Sequence, residues 1–239
     1  MPLPRLVATL FGLFALLVAA FAHAVVEGEV DPNSEDSPWA GVGSVSVGTG
    51  TYSGTLIAPN YVLTAAHVVG RRPPEDIVFN LNYGGDLTHR IHAAEVFVHP
   101  MYRGVTGYAP GGEYDLAVIR LAEPVPAGVP FYSLYHDDMP QGSVITFVGY
   151  GAGGIGAVGA IENPDPAVKR VGQNVADCFA FTMNADNCDL PDLVGNGPRQ
   201  VFLFDFDAPA RQGQRPNGRL PIGEATLAGG DSGSGTFIY

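Results

Sequence analysis

The chain has 239 residues, with 24 Asp and Glu against 12 Lys and Arg, and its formal net charge is −12. Nucleic acids and anionic membranes bind basic protein surfaces, so this charge argues against either as a partner. The length allows one sizeable hydrophobic core or two smaller ones side by side, and solubility alone accounts for the acidity.

The first 24 residues have the three parts of a secretory signal. Their short first part contains one basic residue, Arg5. An apolar run follows at 6–21, and the segment ends on Ala22-His23-Ala24. A membrane anchor, which is the alternative, usually needs about 20 apolar residues and lacks a small-residue cleavage site. We therefore expect residues 1–24 to be removed, and the protein to be secreted or extracytoplasmic without further membrane association.

Short apolar or alternating segments follow. The chain has 32 Gly and 20 Pro residues, and these provide turn signals between the segments. In chain order they are GVGSVSV, GTLIAPNYVLTAA, DIVFNLNY, RIHAAEVFVH, YDLAVIRL, SVITFVGYG and RQVFLFDFD. Many short strands with almost no helical periodicity predict an all-β sandwich or barrel.

The proline-rich stretch RLAEPVPAGVPFY at 120–132 is predicted to link two halves, because its prolines cannot occupy a central strand. Residues 151–172 and 189–200 are rich in glycine, proline and polar residues, and we expect both to be long loops.

The chain has two cysteines, Cys178 and Cys188. In an oxidising compartment one disulfide closing a short loop fits, and it would contribute about 2–3 kcal/mol. No Cys or His lies at ligand spacing beside either of them, so no metal site is predicted. No cofactor is implied, and calcium is left open because acidic loop residues are frequent without a spaced ligand set.

Three segments carry residues suited to nucleophilic catalysis: LTAAHVV with His67, YDLAVIRL with Asp115, and GGDSGSG with Ser232. A serine hydroxyl becomes a good nucleophile when an imidazole takes its proton, and a carboxylate orients that imidazole. Taken singly, they also fit a core histidine, a strand-edge carboxylate and a flexible turn.

Their order and surroundings resemble the chymotrypsin/trypsin family of serine proteases. The resemblance rests on SGTLIAPNYVLTAAHVV (53–69), VHPMY (98–102), YDLAVIRL (114–121), FVGYG (147–151) and GGDSG (229–233), and it covers nearly all of residues 25–239. It implies two six-stranded antiparallel Greek-key barrels. The first would span 25–130 and carry His67 and Asp115, and the second would span 131–239 and carry Ser232.

The resemblance also implies the roles of these residues. Ser232 would be the nucleophile, His67 the general base and then acid, and Asp115 the group that orients His67. The backbone N–H groups of Gly230 and Ser232 would form the oxyanion hole.

Three further positions follow from the same likeness. Asp231 would pair with the mature N-terminus, and cleavage after Ala24 would expose Val25, with Val26 as the neighbouring possibility. No Lys or Arg occurs between Arg5 and Arg71, so we expect signal removal to activate the enzyme without a separate propeptide. Thr226 would lie at the base of the specificity pocket, where an uncharged residue disfavours Arg or Lys substrates.

The chain also departs from the family pattern. Tyr52, Val68 and Ala228 occupy positions where many members have cysteines, which is typical of bacterial members. Family members continue for several strands after the nucleophile loop, whereas this sequence reaches Tyr239, so we expect an incomplete second barrel. The alternative is that residues 151–172 and 189–200 fill that place.

The sequence as a whole predicts a monomeric, secreted serine endopeptidase that acts on protein or peptide substrates. The alternatives are a protease-like fragment or binding module without turnover, and a plain extracellular β-domain. The presence of all three triad residues argues against the binding module and the plain β-domain, and it leaves the fragment of a protease open.

Overall fold

The computed structural model describes residues 23–104, 114–180, 201–206 and 223–238. These residues are almost entirely strands and loops, which confirms the predicted all-β class. The strands are β1 (His23–Ala24), β2 (Glu29–Val30), β3 (Val42–Val47), β4 (Gly50–Ala58), β5 (Tyr61–Thr64), β6 (Ile77–Leu81), β7 (His89–Val98), β8 (Ala117–Leu121), β9 (Val144–Gly149), β10 (Gly153–Ile155), β11 (Gly159–Ala160), β12 (Arg170–Val175), β13 (Cys178–Ala180), β14 (Val201–Leu203) and β15 (Gly235–Phe237).

Helical structure in the described ranges is limited to two short pieces. They are α1 (Ala66–Val69) and a 3₁₀ turn at Pro74–Asp76. None of the helices in these ranges has the length and apolar character needed to cross a membrane.

Strands β3 to β8 close into a six-stranded barrel in the spatial order β3-β4-β5-β8-β7-β6. Every neighbouring pair is antiparallel, and β6 pairs back onto β3. The strands alternate between the two faces; in β8, Ala117, Ile119 and Leu121 are buried while Val118 and Arg120 are less so. This barrel is the first of the two that the sequence predicts.

The barrel interior is a continuous apolar core. Its fully buried side chains include Val45, Leu56, Val62, Ile77, Phe79, Leu81, Ile119 and Leu121. Apolar burial on this scale fixes the register of every strand, because a shift by one residue would turn these side chains outward.

The second region is built around β9, which lies inside a four-stranded antiparallel sheet of order β15-β9-β12-β2. Two smaller sheets, β1-β10-β11 and β13-β14, accompany it. Its core contains Val25, Ile145, Phe147, Ala176 and Ala225. The described strands here form open sheets, in agreement with the expected incomplete second barrel.

Buried polar contacts join the barrel to the second region. The Tyr150 hydroxyl donates to the Val42 carbonyl at 3.1 Å and accepts from Asn82 Nδ2 at 3.0 Å. Burial raises the pKa of Tyr150 well above its usual value, so the hydroxyl stays neutral. Lys169 is fully buried; its Nζ pairs with Asp31 of the second region at 3.1 Å and donates to the carbonyl of Trp39, which precedes β3 of the barrel, at 3.0 Å. Because unpaired polar groups are costly in such an interior, these contacts hold the two parts in one arrangement.

Each of the seven segments expected to form strands contains strand residues, and GTLIAPNYVLTAA covers the end of β4 and all of β5, but the expectation of a long loop at 151–172 is wrong. This stretch contains β10, β11 and the beginning of β12. Its glycines pair through backbone groups alone, and Gly154 lies so close to Gly159 that a side chain would not fit. Residues 1–22, residues 189–200 and Cys188 lie outside the described residues, so the signal, the second loop and the Cys178–Cys188 disulfide stay predictions.

Candidate active site

The polypeptide turns from β5 into α1 at the edge of the first barrel, and this turn presents His67. Ala66, Val68 and Val69 are buried in the barrel core and anchor the short helix. The His67 side chain remains 34% exposed. The local pattern of apolar residues around one histidine therefore directs its ring toward solvent.

Asp115 lies just before β8, the strand that pairs with β5, and it contacts His67 twice. Its Oδ1 accepts the His67 backbone N–H at 2.8 Å, and its Oδ2 lies 2.6 Å from His67 Nδ1. The carboxylate thereby constrains both the position and the ring orientation of His67. The pairing of β5 with β8 brings together residues that are 48 positions apart in the chain.

The two groups shift each other's protonation. The hydrogen bond to Asp115 raises the pKa of His67 above its usual value of 6.5, against the opposing effect of burial. Burial raises the pKa of Asp115, but hydrogen bonds from the His67 ring and backbone outweigh burial, and the net pKa is lowered. The pair thus consists of an ionised carboxylate and a strengthened base, and a hydrogen on Nδ1 leaves Nε2 free to accept a proton.

Ser232 lies in the loop before β15, and this loop packs against the first barrel. The Ser53 backbone N–H donates to the Ser232 carbonyl oxygen at 3.0 Å. Gly233 lies in close contact with Thr64 and Ala65, the two residues that precede α1. The structure therefore brings the Ser232 loop next to the turn that carries His67.

A cavity of about 470 Å³ opens between the same two loops. Asp115 and Leu116 line it from the barrel side, and Gly233 and Ser234 line it from the other side. The His67 ring and the Ser232 hydroxyl, both within the described ranges, make no hydrogen bond to each other. Such contacts are often long in a protease without substrate and shorten in the complex.

The backbone around Ser232 has unusual conformations. Gly230 has φ +96° and Gly233 has φ +82°, which glycine adopts without strain. Within the described ranges, the N–H groups of Gly230 and Ser232 have no acceptor. Unpaired N–H groups beside a candidate nucleophile are suited to bind a developing oxyanion.

Asp231, which lies between Gly230 and Ser232 in the chain, is buried. Its Oδ1 accepts from the Gly151 N–H at 2.8 Å, and its Oδ2 accepts from the Ala228 N–H at 2.9 Å. Burial raises the pKa of Asp231 to about 6, although both hydrogen bonds and the charge of Arg170 oppose that rise. A buried carboxylate held by N–H groups is costly to ionise without a cation nearby.

The remaining predicted positions lie in the second region. Val25 is fully buried in the core of the second region. It is still joined to Ala24 of β1, which pairs with Gly153 of β10. Thr226 forms a bridge to Val26, with its N–H donating at 3.1 Å, and it does not line the cavity beside Asp115.

Sequence reasoning missed three residues that hold this site. The Ser53 hydroxyl donates to the Gly230 carbonyl at 3.2 Å and accepts from the Tyr150 N–H at 3.0 Å. Gly151 N–H holds Asp231, and Arg170 acts on it through its charge. The signal that could have found Arg170 is an arginine that opens the strand RVGQNV.

Comparison with known proteins indicates the family of this chain. The family described as Trypsin matches residues 25–166, which is more than half of the chain. Chymotrypsin-like elastase family member 1 from Felis catus is 38% identical over 78 residues, which cover 31% of this chain and 28% of that protein. The matched stretch thus spans less than a third of that relative's length. From the family match, the closed barrel and the motifs, the chain belongs to the trypsin-like serine protease family.

Proposed function

We propose that this protein is a secreted serine endopeptidase that uses Ser232, His67 and Asp115 as its triad. The observation that carries the proposal is the double contact of Asp115 with the His67 backbone and ring, at 2.8 and 2.6 Å. A carboxylate held in this way fixes the tautomer in which Nε2 acts as the base. Membership of the trypsin-like family makes a peptidase the expected activity.

The reaction starts with proton transfer from Ser232 Oγ to His67 Nε2 as Oγ attacks the carbonyl carbon of the peptide. The carbonyl oxygen becomes an oxyanion, and the N–H groups of Gly230 and Ser232 stabilise it. The His67 imidazolium, stabilised by Asp115, then gives its proton to the leaving amine. Water, deprotonated by His67, hydrolyses the resulting acyl-enzyme and restores the Ser232 hydroxyl.

Two further roles belong to the same proposal. The ammonium freed at Val25 by signal removal pairs with Asp231, and Thr226 forms the uncharged base of the specificity pocket. The burial of Val25 in the second region, and of Asp231 beside Gly151, supports the first role. Division of the chain into 25–130 and 131–239, secretion, and bacterial origin remain predictions from the sequence.

The test is covalent labelling with a fluorophosphonate, which reacts with an activated serine. We expect stoichiometric labelling of the folded protein, located at Ser232 by peptide mass spectrometry and abolished in Ser232→Ala. Ser234→Ala is the matched control, because Ser234 lies two residues away in the same loop. Labelling that persists in Ser232→Ala would refute the assignment of the nucleophile.

The alternative is a protease-like binding module without turnover. The observation that favours it is the lack of a hydrogen bond between His67 and Ser232. The same experiment separates the two functions, since a binding module folds, as judged by circular dichroism, but takes up no label.

A further inference from the structure

Arg170 is a buried cation, and within the described residues only some of its guanidinium N–H groups are hydrogen-bonded. Its side chain is 6% exposed, and its Nη2 lies 2.6 Å from Glu162 Oε2. Its Nε and Nη1 are buried and have no hydrogen-bond partner among the described residues. Burying N–H donors without partners costs free energy, and a negative charge near the guanidinium offsets part of that cost.

Asp231 lies on the same face of the sheet as Arg170. Arg170 on β12 pairs directly with Gly149 on β9. Directly paired residues of antiparallel strands project to the same face, and a side chain at Gly149 would overlap Asp231 Oδ1. The Arg170 side chain therefore leaves the sheet beside the buried Asp231 carboxylate.

Glu162 extends this relationship to the oxyanion loop. Two residues after Glu162, Pro164 packs on Gly230, where an added Cβ would lie 2.7 Å from the Pro164 Cγ. The ion pair between Arg170 and Glu162 thus holds the segment that covers Gly230. Arg170 acts on the loop from two sides, through Asp231 and through Pro164.

We propose that Arg170 is a positioning residue for the loop 228–232 while Val25 is still joined to Ala24. Its guanidinium supplies the positive charge that keeps the Asp231 carboxylate ionised and bound to the Gly151 and Ala228 N–H groups. Through Glu162 it also keeps Pro164 against Gly230. The loop is then held in place before any N-terminal ammonium is free.

The consequence for catalysis rests on the proposed function, but the positioning itself does not. Asp231 is faced by Arg170 from β12, with Glu162 and Asp165 around that arginine, while Gly149, Gly151 and Ala228 contribute backbone groups alone. Removal of the Arg170 charge should therefore raise the pH at which Asp231 takes up a proton. Removal of the Glu162 charge should lower that pH.

The test is amide hydrogen exchange of the full chain between pH 4.5 and 8, corrected for the intrinsic exchange rate. Intact mass must show that Ala24 and Val25 are still joined. Because the pKa of Asp231 is about 6 in the folded parent and 3.8 when the carboxyl is exposed to water, protection of the Gly151 and Ala228 amides should weaken as pH rises through about 6. We expect the midpoint to rise by roughly one pH unit in Arg170→Gln, to stay near the parent value in Arg170→Lys, and to fall in Glu162→Gln.

Arg120→Gln is the control, because Arg120 pairs with Glu95 on the first barrel and its loss should leave the midpoint unchanged. Midpoints that do not move in opposite directions in Arg170→Gln and Glu162→Gln would overturn the proposal. If Arg170→Gln does not fold, the direction of the Glu162→Gln shift decides.

Fluorophosphonate labelling at pH 7 separates this proposal from the proposed function. If the parent is labelled, Arg170→Gln should react at least about tenfold more slowly and Arg170→Lys should recover most of the rate. If the parent takes up no label, the proposed function fails, while hydrogen exchange still decides the role of Arg170.

Discussion

The backbone N–H of Ser53, in a strand of the first barrel, donates to the carbonyl oxygen of Ser232 at 3.0 Å. The Ser53 side chain also bridges Gly230 and Tyr150, at 3.2 and 3.0 Å. One fully buried residue thus joins the barrel that carries His67 to both ends of the Gly230–Ser232 run. The relative position of the proposed base and nucleophile depends on it.

Ser53→Ala should destabilise the fold and slow labelling of Ser232. The substitution leaves the Gly230 carbonyl and the Tyr150 N–H without their partner, which costs about 1–3 kcal/mol in the free energy of unfolding. Urea unfolding and fluorophosphonate kinetics measure the two effects. Ser143→Ala, which removes an exposed hydroxyl bonded to Pro140, should change stability by less than about 0.5 kcal/mol. Equal effects of the two substitutions would contradict this role of Ser53.

Asp115→Asn should lower the maximal labelling rate by roughly 10³–10⁴-fold with little change in fold. The neutral amide no longer raises the pKa of His67 or stabilises the imidazolium. Reaction requires neutral His67, so the rate falls as pH decreases through the His67 pKa. The midpoint should lie above 6.5 in the parent and move down in the variant. Glu95→Gln, which removes a carboxylate bound to Arg120, should leave both rate and midpoint unchanged.

Gly233→Ala should destabilise the protein by more than Gly142→Ala, although both glycines have φ +82°. Each substitution places an alanine in a left-handed backbone conformation, which destabilises the fold by about 1–2 kcal/mol. A methyl group at Gly142 meets open space, whereas one at Gly233 would overlap Thr64 and Ser53. The excess in the free energy of unfolding, measured with urea, reports the packing of the Ser232 loop on the barrel. No excess would mean that the two do not pack in this way.

Asp231→Asn should remove a pH-dependent loss of stability in the chain that retains Ala24. Burial raises the pKa of Asp231 from 3.8 in the unfolded chain to about 6 in the folded one. The stability linked to this proton is fully present below pH 3.8 and is lost as pH rises through about 6, a difference of about 3 kcal/mol. Urea unfolding from pH 4 to 7.5 should show that decline in the parent and a smaller one in Asp231→Asn. Parallel pH profiles would refute it.

A chain that begins at Val25 should lose less stability over the same pH range than one that retains Ala24. An ammonium beside Asp231 favours the ionised carboxylate and lowers its pKa. The shorter chain should also react faster with the fluorophosphonate. A chain beginning at Val26 is the matched control for the position of the amine. An active natural preparation whose N-terminus lies well beyond Val26 would rule out this pairing.

The all-β class, the six barrel strands and the His67, Asp115 and Ser232 motifs could be read from the sequence because they are local signals. Alternation of buried and exposed residues has a period of two, and each motif fits within a few neighbouring residues. The error at 151–172 has a local cause as well, since glycine-rich strands pair through backbone groups and leave no apolar pattern.

The sequence alone thus determined the all-β class and the motifs that contain the proposed catalytic residues, which lie in the turns and loops beside strands. Tertiary structure decided three contacts. Asp115 binds the backbone N–H and the ring of His67, and Ser53 donates to the Ser232 carbonyl. Arg170 lies beside Asp231 on the face of the sheet where Gly149 has no side chain. These contacts join residues far apart in the chain, and they form only when the barrel closes and the second sheet packs on it. Their distances depend on strand register and burial, which no single segment of the chain encodes.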